Sequence, residues 1–468
     1  MTSTRFFLLA ALAAATPAYA QQDATVQQAG SPRDTAAAAA DTQPAKKSDA
    51  KAVRYYTPAI EIQHLRPLDQ RGLNVFESPK EPGATYEGFK LSWGGAFAQQ
   101  FQNLTHQNAA ALKPGKDASG KDVNLNGLVP IGSGFNNADA NLYVNVQLAR
   151  GIRVALEGYA SSRHHNEFWI KDGYFLVDAS PIENRLLDRI MDVATLKVGH
   201  FEINYGDQHF RRTDNGMALY NPFVGNLIID AFTTEIGAEA YLRQGGYLAM
   251  VGLTGGEVKG SVRNPGKRGP SYLAKVGYDK QLTDDIRVRL TGSMYKKDRS
   301  ASGTLTSGDR AGSRYYDVLE NVTSTEAAQA WSGAVQSGMR NNVTAYVVNP
   351  FVKIGGVELF GNVETMTGAA TGEKTRRTLR QLSGEGLYRF ASNKLYVGGR
   401  ANAVHGQLAG IANDVSVKRY QVGGGWFVTP NVLSKLEFVR QNYEAFPTSD
   451  IRSGGKFEGF MIEGVVAF

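Results

Sequence analysis

From Phe89 to the last residue the chain alternates apolar and polar side chains with a period of two, the pattern of strands that meet an apolar medium on one face and a polar one on the other. In "YLAKVGYD", Tyr272, Ala274, Val276 and Tyr278 share one face, and Lys275, Gly277 and Asp279 the other. "DIRVRLTGSMY" sets Ile286, Val288, Leu290, Gly292 and Met294 against Arg287, Arg289, Thr291 and Ser293. "NLYVNVQL" and "RQLSGEGLYRF" repeat the arrangement, with Leu142, Val144, Val146 and Leu148 opposing Asn141, Asn145 and Gln147, and Leu382 and Tyr388 opposing Gln381, Glu385 and Arg389.

The pattern predicts about sixteen strands, near residues 89 to 101, 139 to 149, 151 to 161, 168 to 178, 193 to 203, 232 to 243, 246 to 256, 270 to 280, 285 to 297, 342 to 353, 356 to 367, 378 to 390, 394 to 405, 416 to 428, 431 to 443 and 457 to 468. A soluble sandwich also alternates, so the connections decide. Every second one is tight: Arg150-Gly151, Gln244 to Gly246, Leu282 to Asp285, Gly355-Gly356, Ala391 to Asn393 and Thr429 to Asn431. The intervening ones are mostly long and polar, above all Gln102 to Ala138 and Asp298 to Asn341. Short turns on one side and long loops on the other predict an all-β fold, a transmembrane antiparallel β-barrel with short periplasmic turns and long extracellular loops. Only closure lets strands cross lipid without leaving an unpaired edge. Phe89, Phe390, Trp426 and Phe468 fall near turn-side ends on the apolar parity, and Phe101 and Tyr420 near loop-side ends, as interfacial girdles would. One connection, "ASPIENRLLDRIM", is long for a periplasmic turn, and the loop "SRHHNE" before its strand is short.

The N-terminal part is different. "MTSTRFFLLAALAAATPAYA" has an early Arg5, an apolar run and the triplet Ala18-Tyr19-Ala20, which predicts a secretory signal over residues 1 to 20. Residues 21 to 52 are an Ala/Gln-rich tract too poor in large apolar side chains to offset the entropy of ordering, and predict a disordered periplasmic extension. Residues 53 to 87 carry Ile60, Leu65, Leu68, Leu73, Val75 and Phe76 but are broken by prolines, an irregular segment fit to plug the lumen or pack beneath it; the barrel is expected over residues 88 to 468.

Composition narrows the picture further. With 52 Gly, 21 Tyr, 22 Phe and 20% charged residues in 468, one large β structure is favoured over several globular domains. The formal charge of +7 is too dilute to argue for nucleic acid. There is no cysteine, hence no disulfide framework, thiol nucleophile or Cys-zinc site.

The strand "KFEGFMIEGVVAF", ending in Phe468, resembles the C-terminal strand of Gram-negative outer-membrane porins; "LKVGHFEINYGD" and "SKLEFVRQNYE" are similar to segments of sixteen-stranded porins of the general and phosphate-selective type. The resemblance implies an integral outer-membrane protein in contact with lipid and lipopolysaccharide and recognised by the barrel-assembly machinery through Phe468. It implies a homotrimer of water-filled channels whose third long loop folds into the lumen.

Counting strands back from Phe468 places "YGDQHFRRTDNGMALYNPFVG" in that third extracellular loop. Its apolar half, Met217, Leu219, Tyr220, Phe223, Val224, Leu227, Ile228 and Ile229, would be an unusual patch in water and is expected either to fold inward or to meet a neighbouring subunit. An inward fold would hold Asp207, Arg211, Arg212 and Asp214 over the aqueous path. On the wall, the polar parity supplies Arg153, Glu157, Glu239, Arg243, Arg287, Arg289, Arg389 and Arg400 as pore-lining candidates.

No catalytic signature of the GxSxG, HExxH or Walker type occurs, and adjacent His164 and His165 point to opposite faces of an extended chain, so no enzyme activity, metal or cofactor is expected. The function expected is passive diffusion of small hydrophilic solutes with a mild preference for anions. Two rivals are a closed barrel with an adhesive or envelope role, built on the Asp298 to Asn341 loop and a plug over Val53 to Tyr86, and a transporter of hydrophobic substrates with an N-terminal hatch. The latter requires an apolar lumen, whereas the inner parity is charged.

Overall fold

The computed structural model describes residues 65–77, 80, 86–164, 167–257, 268–300, 303–308, 313–325 and 332–468. The expected signal peptide and Ala/Gln-rich extension lie outside them, as does His165. Among the described residues there are eighteen strands: β1 (Lys90–Gln107), β2 (Pro114–Lys116), β3 (Asp122–Asn124), β4 (Gly134–Ala149), β5 (Ile152–Ser161), β6 (Trp169–Val177), β7 (Ala194–Glu202), β8 (Thr234–Gln244), β9 (Tyr247–Thr254), β10 (Ser271–Gln281), β11 (Ile286–Lys297), β12 (Asn341–Ile354), β13 (Val357–Ala369), β14 (Arg377–Phe390), β15 (Leu395–Gly406), β16 (Val415–Thr429), β17 (Val432–Glu444) and β18 (Lys456–Ala467). Strands β2 and β3 form a small hairpin in the first long loop. The other sixteen make one closed antiparallel barrel. β1 closes it by pairing with β18, from Ala96 opposite Ala467 to Gln107 opposite Lys456, and with β4 on its other edge.

Each predicted strand is present, most with ends within a few residues. β1 and β4 run further toward the loop side than the alternation suggested. The turn side is tight because two-residue hairpins need left-handed backbone, which Gly245 (φ 61°) and Gly355 (φ 54°) supply. The long connection after β6 contains a short helix, α1 (Arg185–Met191).

Alternation sorts the side chains as closure requires. Leu142, Leu148, Val276, Leu290, Leu382 and Tyr388 stand exposed on the outside, while Asn141, Lys275, Arg289, Gln381 and Glu385 are buried inside. Phe89, Trp426, Phe468 and Tyr420 are exposed as well, which places them on the outer surface. An outer surface of exposed leucine, valine and aromatic side chains on a barrel without edges is stable only in lipid.

The lumen is far from uniformly charged. Its loop-side half carries an apolar core in which wall residues such as Leu104, Met250, Leu273, Val343, Val347, Val404, Val439 and Met461 pack with two inturned loops. One is the third long loop, through Val224, Ile228 and Ile229; the other is the Asp298 to Asn341 loop, through Leu305, Tyr315, Val318, Leu319, Val335 and Met339. Those apolar residues of the second loop therefore pack inside the barrel, whereas Val322 of the same loop is exposed. A second core joins Met217, Leu219, Tyr220 and Phe223 to Leu387, Tyr396, Phe427 and Leu433, with Leu68 and Leu73 of the N-terminal segment against it.

Candidate functional site: the lumen and its inturned loop

The third loop, from Ile203 to Thr233 between β7 and β8, has almost no regular structure, only a 3-10 turn at Gln208–Phe210, yet its backbone is ordered and buried. A buried loop must pair its N–H and C=O groups. The wall does this with side chains. Asn349 accepts from the Asp207 N–H (2.8 Å), Asn141 from Gly216 (2.7 Å), Glu437 from Val224 (2.8 Å), Asn402 from Ile228 (2.6 Å) and Gln381 from Ile229 (2.8 Å). Cations serve the carbonyls: Lys435 donates to those of Ala218, Asn221 and Phe223, Arg400 to Gly225 (2.8 Å) and Arg419 to Asn226 (2.6 Å). Much of the polarity of the inner face thus holds the loop. Burying Met217, Leu219, Phe223, Val224, Leu227, Ile228 and Ile229 adds roughly 1.5 to 3 kcal/mol each before the entropy of ordering is subtracted. At Gly216 the backbone lies so close to the wall that a Cβ would sit 2.7 Å from the Asp139 carbonyl and 2.8 Å from that of Ala96.

The charged half of the loop is distributed among three clusters. Asp207 accepts from Arg289 through both oxygens (2.7 Å each) and from Thr291 (2.8 Å), with Lys275 at 2.8 Å. Burial would raise its carboxyl, but these cations hold it below the usual carboxylate range. Arg211, 2% exposed, donates to Glu385 (2.5 Å) and to Asn74, and Glu385 also takes Arg400 (2.6 Å). Arg212, equally buried, forms a two-point pair with Asp230 (2.8 and 2.5 Å) and reaches Asp214 at 3.3 Å. Of the two aspartates flanking the arginines in sequence, only Asp214 meets one. Asp214 is also 2.5 Å from Lys171, around which Glu202 (2.9 Å) and Glu157 (3.2 Å) gather.

On the wall, Arg153 pairs with Asp178 (2.8 Å), Arg389 with Glu358 (2.9 Å) and Arg287 with Asp279 (2.7 Å). Glu239 accepts from the Asn204 N–H (2.8 Å) and the Tyr241 hydroxyl (2.5 Å). Arg243 differs. It donates to Thr195 (3.2 Å), and among the described residues no carboxylate oxygen lies within 4.0 Å of it.

Residues 65–77 supply partners that the sequence did not single out. Asn74 donates to Glu358 (2.7 Å), Glu77 pairs with Lys275 (2.8 Å) and Arg289 (2.7 Å), and Phe76 packs edge-on against Phe351 and Phe210. Arg66 lies 3.5 Å above the Tyr220 ring and donates to the Phe210 carbonyl (3.0 Å), while Tyr220 donates to the Pro67 carbonyl (2.5 Å). Gln70 reaches the turn side at the carbonyls of Pro430 (2.8 Å) and Asn393 (2.6 Å). The segment therefore lies across the underside of the third loop at the turn-side end of the lumen. The sequence offered a signal in the alternation of Leu65, Leu68, Leu73 and Phe76 with polar residues, but not the partners.

Between this segment, the loop and the wall of β4 to β11 lie cavities that share lining residues. One of about 250 Å³ is bordered by Arg66, Phe76, Arg153, Lys197, Glu202 and Arg243. Another of about 240 Å³ shares Arg66, Lys197 and Glu202 and continues to Glu157, Lys171 and Asp214. A third of about 420 Å³, toward the turns, shares Phe76, Glu77 and Arg243 with the first and adds Lys80, Arg287 and Arg289.

No protein-family model and no curated protein matches the chain. Among solved structures it is similar to OmpT, an outer membrane protein of Vibrio cholerae in its trimer form, at 10% identity and a TM-score of 0.46 over 82% of this chain and 100% of that one. It is similar to an anion-selective porin from Comamonas acidovorans at 12% identity and a TM-score of 0.47 over 81% and 100%. The outer membrane channel DcaP of Acinetobacter baumannii gives 10% identity and a TM-score of 0.47 over 82% and 99%. Sixteen antiparallel strands closed on themselves, an apolar outer surface, short turns and an inturned third loop give this chain the architecture of a sixteen-stranded transmembrane β-barrel.

Proposed function

We propose that the protein is an outer-membrane channel for passive diffusion of small hydrophilic solutes, narrowed by the loop Tyr205 to Ala231 from above and by residues 65–77 from the periplasmic side. The observation that carries this reading is the row of three charge-lined cavities, sharing lining residues, along β4 to β11. A closed structural barrel has no need for that row.

The turn-side pair of cavities is lined by Arg153, Lys197, Arg243, Arg287, Arg289 and Lys80 against Glu77, Glu202 and Asp279, an excess of cations that favours anions mildly. The proposal extends to a homotrimer in contact with lipopolysaccharide, to assembly through Phe468, to a non-enzymatic role, and to an N-terminal extension in the periplasm.

Ohmic conductance in planar bilayers tests it. Purified folded protein should conduct weakly, and deletion of residues 65–80 should raise the conductance severalfold. If both forms fail to conduct, diffusion through this lumen is ruled out.

A further inference from the structure

The helix α1 sits at the turn-side rim, joining the end of β6, where Val177 is opposite Ile152, to the start of β7, where Ala194 is opposite Leu242. It is short and holds few contacts of its own. Asn184 caps it by accepting from the N–H groups of Leu186 (3.0 Å) and Leu187 (3.1 Å), and Arg150 tethers it through Asp188 (3.1 Å). None of its residues is buried.

Its side chains are nevertheless sorted. At ~100° per residue, Leu186, Leu187, Ile190 and Met191 fall on one arc and Arg185, Asp188 and Arg189 on the opposite one. Leu186 is 67% exposed and Ile190 47%, and Ile182 just before the helix is 59% exposed. Seven residues are too few to hold a helix in water by propensity alone. An amphipathic helix with this pattern gains its stability from an apolar medium on one side and anionic or polar groups on the other.

The rim around it identifies the medium. From β9 round to β1 the turn-side ends carry Tyr247, Tyr278, Tyr388, Phe390, Trp426 and Trp93, the aromatic belt of a membrane interface. Across β4 to β8 the outward positions there include Leu148, Ile152, Val177, Leu196 and Leu242, with Phe175 and Tyr86, whose hydroxyl donates to the Leu148 carbonyl (3.3 Å), as the aromatics. Where the aromatic belt thins, α1 stands.

We infer that α1 is an interfacial anchor that lays Leu186, Leu187 and Ile190 into the phospholipid leaflet on the turn side, with Arg185 and Arg189 at its headgroups. The chain lacks cysteine, so single labels are unambiguous. Ile190→Cys and Arg189→Cys, each carrying a nitroxide, are reconstituted as full-length protein in vesicles of phosphatidylethanolamine and phosphatidylglycerol, with heat-modifiable migration on gels as the folding control. The expected result is a ratio of oxygen to water-soluble nickel accessibility severalfold higher at 190 than at 189. Leu186→Cys should behave as 190 does, which guards against one variant misfolding. Equal, water-like accessibility at 186, 189 and 190 would overturn the proposal. So would a label at 190 shielded from both reagents, the signature of cover by protein, from a second copy or from elsewhere in the chain.

Discussion

Asp207 and Arg289 form a two-point ion pair, Nε to Oδ2 and Nη2 to Oδ1 at 2.7 Å, with the aspartate side chain fully buried and the arginine nearly so. It fastens the first turn of the third loop to β11, and Lys275 and Thr291 complete the cage. Deleting the carboxylate leaves Lys275 to Glu77 and Arg289 to Glu77 and Asp279, and loss of one partner of a buried pair costs about 3 to 5 kcal/mol. Asp207→Ala is therefore expected to lift the loop without opening the barrel. Trypsin cleavage after Arg211 or Arg212, both 2% exposed, should accelerate, while heat-modifiable migration stays unchanged. Unaltered cleavage would show that the remaining wall contacts and the apolar half hold the loop without this pair.

A second expectation concerns Gly72. A Cβ there would lie 2.2 Å from the Pro67 carbonyl and 2.7 Å from the Tyr220 ring, both too close for adjustment by a flexible side chain. Gly72→Val should displace residues 65–77 from the underside of the loop. Single-channel conductance should rise toward that of the deletion, and equal conductance of variant and parent would remove the segment from any gating role.

Acidification should act in one direction. Burial opposes ionisation of Glu77, but Lys275 and Arg289 outweigh it and hold its carboxyl well below the usual range. A carboxyl depressed on folding contributes stability that is complete above its free value of about 4.3 and is lost as pH falls through the folded value. Burial also lowers His209, so its share is lost as pH falls below about 6.5. Protease protection of the segment is expected to weaken slightly below pH 6.5 and collapse only below pH ~4. In His209→Gln the first step should vanish, and in Glu77→Gln the second should shrink.

Selectivity should depend on Arg243 more than on Arg211. Arg211 is neutralised by Glu385, whereas Arg243 borders two of the cavities and has no carboxylate partner among the described residues. A charge ~4 Å from a passing ion is worth about 1 kcal/mol in water, roughly a fivefold permeability ratio. Arg243→Gln is expected to move the reversal potential in a salt gradient toward cations by up to that factor. Arg211→Gln should shift it less, and the opposite ranking would reassign the selectivity to the loop.

The sixteen strands, the tight and open sides, the sidedness of the third loop and the burial of Met217 to Ile229 were legible in the chain, because alternation and turn chemistry are local and closure follows from needing no edge in lipid. Parity likewise identified which face of each strand carries charge. It could not say what those charges do. Arg211 meets Asn74 and Glu385, and Glu437 meets Val224, across separations of 137 to 213 residues, so these pairings exist only once the barrel has closed and the loop has crossed it. Of the wall charges read as pore lining, Arg400 and Glu239 bond the backbone of the buried loop, and the loop-side inner positions are apolar because two long loops pack there. Period two fixes inside and outside; only the three-dimensional path of the loops and of residues 65–77 decided which inward charges are spent on packing and which, like Arg243, still face open volume.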